Sequence, residues 1–97
     1  MHLIFYDISS DTIRTKIAKK LVAEGYERIQ LSVFVGNPHP KQNIPFCQNL
    51  NTWLKTDPTA QFCVIRVASL NFKNMTMIGK NKLDLAFLLG EKNSIFI

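Results

Sequence analysis

The sequence predicts an α+β domain in which two helices cover one face of an antiparallel sheet. Three observations lead there. The chain opens on a nearly apolar run, Leu3-Ile4-Phe5-Tyr6-Asp7-Ile8, with a helix signal directly behind it. Two further runs rich in β-branched and aromatic residues, 28–35 and 61–70, are separated by a second helical pattern. The length, 97 residues, allows a single domain, 1–97, with a small core.

The opening hexapeptide suits a strand buried on both faces. Asp7 interrupts it, and nothing nearby in sequence neutralises that charge. Asp7 is therefore expected where a central strand ends and a loop begins, the usual place in such sheets for groups that do chemistry. Ser9, Ser10 and Asp11 compete for the N-cap of the first helix. Its apolar stripe is Ile13, Ile17, Ala18 and Leu21, and Gly25 ends it. Arg14, Lys16, Lys19 and Lys20 fall on or beside the open face. Lys19 and Lys20 read as a solvated surface. Arg14 and Lys16 lie in the first two turns, near Asp7, and are better placed to hold a phosphate.

Residues 28–35 read as one alternating strand. Ile29, Leu31, Val33 and Val35 point under the helix; Arg28, Gln30, Ser32 and Phe34 form a mixed opposite face of the kind that meets a subunit or ligand. The link from the first strand has the length of a right-handed crossover, so the two strands should be parallel. Pro38 and Pro40 bar 36–43 from a central strand and leave a short edge strand and a loop with His39 and Lys41. A second helix over 45–56 carries Phe46, Cys47, Leu50, Trp53 and Leu54 at helical spacing, and Asp57-Pro58 ends it. Residues 61–70 form the next strand. The order strand, helix, strand, edge, helix, strand is the ferredoxin-like βαββαβ arrangement. One sheet face stays uncovered, which suits a homodimer. In the last third, Met75 and Met77 read as gap-filling core. Lys80 and Lys82 lie in a basic turn, 83–89 has a helical pattern, and 94–97 is an additional C-terminal strand expected to pair with the partner protomer's sheet.

Hydrophobic content of 46% against 20% charged residues argues for a globular fold and against disorder. A formal charge of +5 suggests a polyanionic partner, of which nucleic acid is the commonest, or else a basic surface without function. Cys47 and Cys63 form no Cys-x-x-Cys, and His2 and His39 have no ligand-like spacing to them, so the thiols read as buried groups in a reducing compartment. No apolar run is long enough for a membrane span and the N-terminus has no basic region, so a cytoplasmic home is expected.

Phosphodiester hydrolysis needs a charge-stabilising metal and an activated water. Magnesium takes one or two carboxylates plus waters and phosphate oxygens. One chain supplies only Asp7 in a sensible place, with Asp11 a distant second; two chains supply a pair. His2 and His39 are poorly placed for a general base.

Tyr6-Asp7-Ile8, Arg14, Leu21, Gly25, Arg28, Gln30, Ser32-Val33-Phe34 and Gly36 form a combined pattern: an acid after a buried strand, then a polar strand face at set distances. That pattern resembles the CRISPR-associated protein 2 family, the small subunit of the spacer-acquisition machinery. Beyond Gly36 the likeness is in length, the second helix, the strand at Gln61 and the terminal 94–97. The resemblance implies a ferredoxin-like homodimer in which Asp7 of each protomer faces its twin and the pair holds magnesium or manganese, making Asp7 both metal ligand and catalytic residue. It implies nucleic-acid contacts by Tyr6, Arg14, Lys16, Arg28 and Phe34, to which the charge pattern adds Lys80 and Lys82. Some members of the family are metal-dependent endonucleases on RNA or duplex DNA. Others bridge dimers of the CRISPR-associated integrase, CRISPR-associated protein 1. The sequence departs from the family at 46–53, where a usually charged helix is polar and aromatic. Two other readings stand beside this one: a VapD-type toxin ribonuclease, and a structural ferredoxin-like domain.

Overall fold

The N-terminal apolar run forms strand β1, His2–Asp7, in the computed structural model, which describes residues 1–79. Ser10 wins the competition for the cap of helix α1, Asp11–Ala23, its Oγ accepting from the Ile13 N–H at 3.3 Å. Gly25, at φ +94°, takes the left-handed conformation that turns the chain after the helix. Strands β2, Glu27–Gln30, and β3, Val33–Gly36, follow, then a 3-10 turn at Pro40–Gln42. Helix α2 spans Ile44–Leu54, capped by Asn43 Oδ1, which accepts from the Phe46 N–H at 3.0 Å; strand β4 spans Gln61–Arg66. The sheet order is β2-β3-β1-β4, every neighbouring pair antiparallel, which is the ferredoxin-like topology.

The register decides which residues share a face. Ile4 lies opposite Phe34 on one side and Val64 on the other, and Tyr6 lies opposite Phe62. These side chains join Ile17 and Leu21 of α1 and Phe46 and Leu50 of α2 in one core. The alternate residues Leu3, Phe5, Val33, Cys63 and Ile65 share the other face with Asp7, where Phe5 is 37% and Ile65 48% exposed.

Several expectations are corrected. Residues 28–35 are not one strand. They form a hairpin that turns at Leu31-Ser32, with a register shift between Arg28 and Gln30. β2 runs in the sense the crossover predicts, but β3 lies between it and β1 and runs the other way. The turn and the shift invert the faces: Phe34 points into the helix-covered core, and Val33 pairs opposite Phe5 on the other face. Two-residue hairpin loops usually signal themselves by Asn-Gly or a glycine at positive φ. Here no non-glycine residue among those described has positive φ, and a side chain closes the turn: Arg28 donates from Nε (3.2 Å) and Nη2 (2.6 Å) to the Leu31 carbonyl. The edge strand expected in 36–43 is absent, the prolines favouring the 3-10 turn. The strand expected over 61–70 stops at Arg66, because no β-branched residue occurs in the six that follow Val67.

Met1–Arg66 is one compact unit, and Val67 begins a second. The described part of the second carries helix α3, Ser69–Lys73, with Phe72 buried and Met75 and Met77 half-buried. Lys80, Lys82, the helical pattern at 83–89 and the strand expected at 94–97 lie outside the described residues. Among the described residues no helix is long and apolar enough to cross a membrane.

Candidate functional site

Asp7 closes β1 and lies opposite Gln61 of β4. Its carboxylate is exposed and makes no hydrogen bond or ion pair among the described residues. The loop behind it is held by a residue the sequence reading took only as a helix stop. Asp57 Oδ2 accepts from Ser9 Oγ (2.8 Å) and the Ser9 N–H (3.3 Å), while Oδ1 accepts from Thr59 Oγ1 (2.8 Å) and the Thr59 N–H (3.1 Å). The hydrogen bonds from Ser9, then Thr59, hold the Asp57 carboxyl down at about 2. Asp57-Pro58-Thr59 is a recognisable Asx-turn pattern. Its bond to Ser9, across 48 positions, has no local signal.

Arg14 reaches back from the first turn of α1. Its Nη1 donates to the Ile8 carbonyl at 2.6 Å, and Nη2 pairs with Asp11. Arg28, closing the hairpin, sits 5.4 Å from the Phe34 ring centre. Together with Lys19, Arg14 and Arg28 line an open groove of about 630 Å³ between α1 and the β2–β3 turn, whose other walls include Ala18, Val22, Leu31 and Ser32. The structure thus unites two of the expected phosphate-binding residues and adds Lys19, which sequence reasoning set aside as solvated surface. Spacing could have raised Lys19, since positions 14, 15, 18, 19 and 22 recur on one helical face. Lys16 is elsewhere, its Nζ 5.8 Å from the Trp53 ring centre on α2.

Tyr6 and Phe34, expected at the nucleic-acid surface, are core residues, 6% and 0% exposed. Tyr6 stacks between Phe34 (6.2 Å between ring centres) and Phe62 (5.9 Å). Burial raises its pKa; the charges of Arg28 and Arg14 and the nearby Ser32 oppose the rise. Ser32 is close enough to act on the phenol, yet no group among the described residues meets Tyr6 Oη at hydrogen-bonding distance and angle.

For a divalent metal, the Asp7 end of β1 offers one carboxylate without a hydrogen bond or ion pair among the described residues, Asp7 itself. No group of three or more His, Cys, Asp or Glu residues that could hold a metal occurs among the described residues. His2 and His39 stack edge to face, 4.8 Å apart, at the opposite end of β1. At the usual rise per residue they lie roughly 16 Å from Asp7. A lone carboxylate fits the magnesium pattern of few protein ligands and several waters, provided a second carboxylate comes from another chain.

The family model described as CRISPR associated protein Cas2 matches residues 1–75. The chain belongs to the Cas2 family. The CRISPR-associated endoribonuclease Cas2 2 of Pyrobaculum aerophilum is 53% identical over 38 residues, which are 39% of this chain and 42% of that one. The CRISPR-associated endoribonuclease Cas2 1 of Archaeoglobus fulgidus is 31% identical over 64 residues, 66% of this chain and 68% of that one. The crystal structure of Streptococcus pyogenes Cas2 at pH 6.5 superposes with a TM-score of 0.60 at 18% identity, covering 80% of this chain and 98% of that one, and so shares its fold.

Proposed function

We propose that this Cas2-family chain is a nucleic-acid-binding endonuclease subunit of CRISPR adaptation that acts as a homodimer on RNA or duplex DNA. The observation that carries the reading is Asp7 at the end of the central strand, exposed and without a hydrogen bond or ion pair among the described residues, on the sheet face opposite α1 and α2. Leu3, Phe5, Val33 and Ile65 on that face form an apolar patch suited to a second copy, and pairing two copies there brings two Asp7 side chains to one interface. The two relatives are both named endoribonucleases, which favours RNA as the substrate.

The two Asp7 carboxylates would hold magnesium or manganese. A divalent cation at this place supplies charge neutralisation for the phosphate and activates a water. Arg14 and Arg28 hold backbone phosphates on either side of the groove, with Lys16, Lys80 and Lys82 extending the basic surface. Tyr6 and Phe34 set the floor beneath, fixing Asp7 through the stiff end of β1. The dimer doubles the charge of each chain from +5 to about +10, which draws polyanions at long range. A second role, bridging dimers of the CRISPR-associated integrase, CRISPR-associated protein 1, needs the basic surface and not Asp7. A cytoplasmic setting suits the two free cysteines, Cys47 and Cys63.

The test is cleavage of labelled RNA and duplex DNA with magnesium by wild type and Asp7→Asn, with sedimentation run in parallel. Asp7→Asn is expected to remain a dimer, to bind nucleic acid and to lose all cleavage. Cleavage at the wild-type rate by the variant would remove Asp7 from the chemistry. A wild type that binds without cutting would leave the bridging role.

A further inference from the structure

Binding to a nucleic-acid backbone leaves one feature of the groove unused. Three of its lining residues, Arg28, Arg14 and Ser32, bear on the phenol of Tyr6, a residue more than nine-tenths buried whose hydroxyl has no partner at hydrogen-bonding distance and angle among the described residues. Buried hydroxyls are seldom left so, because the water they gave up is not replaced. The lining is also chemically mixed. Arg14, Lys19 and Arg28 against Asp11 leave an excess of two positive charges, while Val22 and Leu31 are 57% and 80% exposed beside them.

We infer that this groove receives the terminal phosphomonoester of a nucleic-acid strand, held by Arg14 and Arg28 and by the hydroxyls of Ser32 and Tyr6, with the terminal nucleoside against Ala18, Val22 and Leu31. The inference rests on the reading of the chain as a nucleic-acid-binding subunit and names the part of the strand this groove takes. The volume, about 630 Å³, is that of a small-molecule site and holds a nucleotide, not a duplex. A terminal phosphomonoester carries close to two charges near neutrality, against one on an internal diester, and so matches the excess in the groove. Only a strand end projects a phosphate into a groove walled by a helix on one side and a hairpin turn on the other. Duplex phosphates lie on a convex surface and meet the rim. Tyr6 stands behind the lining of the groove, and its O–H, a donor at neutral pH, meets a phosphate oxygen only when the exposed Arg28 or the half-buried Ser32 side chain rotates aside. The exposed apolar pair then acquires a cover in the nucleoside.

The test uses the full chain in EDTA, so that cleavage does not intervene. Short single-stranded RNAs of one sequence carry a 5′-phosphate, a 3′-phosphate or hydroxyls at both ends, and their affinities are read by anisotropy at fixed salt. One phosphorylated end should bind at least about tenfold tighter than the hydroxyl form, as expected for a charge-assisted contact made only there. The 5′ and 3′ arms identify which end fits. Tyr6→Phe keeps the ring stacked on Phe34 and Phe62 and should cut that preference to about twofold or less, as should Arg14→Gln. A wild type blind to the terminal phosphate, or a preference untouched by both substitutions, overturns the inference. Adenosine monophosphate and adenosine, titrated into isotope-labelled protein, separate this outcome from failure of the wider reading. Shifts at Leu31 and Ser32 with the monophosphate alone support the pocket even where no oligonucleotide binds. Their absence removes it even where oligonucleotides bind well.

Discussion

At the His2 end of β1 the polar groups engage one another. His2 Nδ1 donates to the Asn37 carbonyl at 2.8 Å, and His39 Nδ1 accepts from the Lys41 N–H at 3.0 Å. Tyr26 Oη donates to the Pro38 carbonyl, and the Cys47 thiol donates to that of Pro40. At the Asp7 end, among the described residues, the carboxylate has no partner and the Tyr6 phenol none at hydrogen-bonding distance and angle. The two tyrosines make the contrast sharp. Burial raises both phenols, Tyr26 to about 12 with help from the Glu24 charge, yet among the described residues only Tyr26 has an acceptor. A strand end whose donors and acceptors are matched internally is scaffold. One whose groups are unmatched, next to arginines only partly used by carbonyls, keeps its capacity for an outside ligand.

Three perturbations sharpen or break this comparison. The largest effect is expected from Gly36→Ala at the scaffold end. A Cβ there would sit 2.4 Å from Tyr26 Cδ1 and 3.1 Å from Cγ, and the ring is tethered through its hydroxyl. Overpacking of this kind costs about 1–3 kcal/mol, or about 5–15 °C in Tm for a chain of this size. Thermal melts read the loss, and binding by the folded fraction should stay at the wild-type value. Weakened binding by fully folded Gly36→Ala would show that the two ends are coupled.

Asp57→Asn comes next. The folded Asp57 carboxyl is held at about 2, below its ordinary value of 3.8. A depressed acid contributes stability above its unfolded pKa and loses it as pH falls through the folded one. Wild type should therefore be the more stable above pH 4, and its advantage in Tm over Asp57→Asn should shrink between pH 4 and pH 2. A gap of constant size over that range would mean that the Ser9 and Thr59 bonds do not depend on the charge.

The smallest effect is local. His39 is lowered from 6.5, first by desolvation, then by His2 and Lys41, and its neutral ring accepts the Lys41 N–H that caps the 3-10 turn. A histidine with a depressed folded pKa supports the fold above about pH 6.5 and withdraws that support as pH falls below it. Amide exchange at Lys41 and Asn43, corrected for the intrinsic rate at each pH, should quicken between pH 6.5 and 5 while the corrected exchange at Ile13 stays constant. Equal quickening at both sites would mean that acid loosens the whole unit.

Periodicity and end signals made the first strand, both helices and the position of Asp7 legible in the sequence, because each depends on neighbours within a turn or a strand. Ile13, Ile17, Ala18 and Leu21 define the buried stripe of α1 whatever they pack against. Arg14 was recognisable beside Asp7 for the same reason, since Ser10, Asp11 and Arg14 lie within one helical turn. The hairpin at Leu31-Ser32 was not legible, because a side chain, Arg28, closes it in place of the usual turn residues. With the hairpin missed, the face of Phe34 came out inverted, since one irregularity in a strand reverses every side chain beyond it. The anchor from Asp57 to Ser9 spans 48 positions, and the groove joining Arg14, Lys19 and Arg28 needs helix and hairpin side by side. Charge, amphipathic pattern and caps are properties of the chain itself. Which cations converge, and which tyrosine is left without a partner, depends on contacts between distant segments, and these exist only once the sheet has formed.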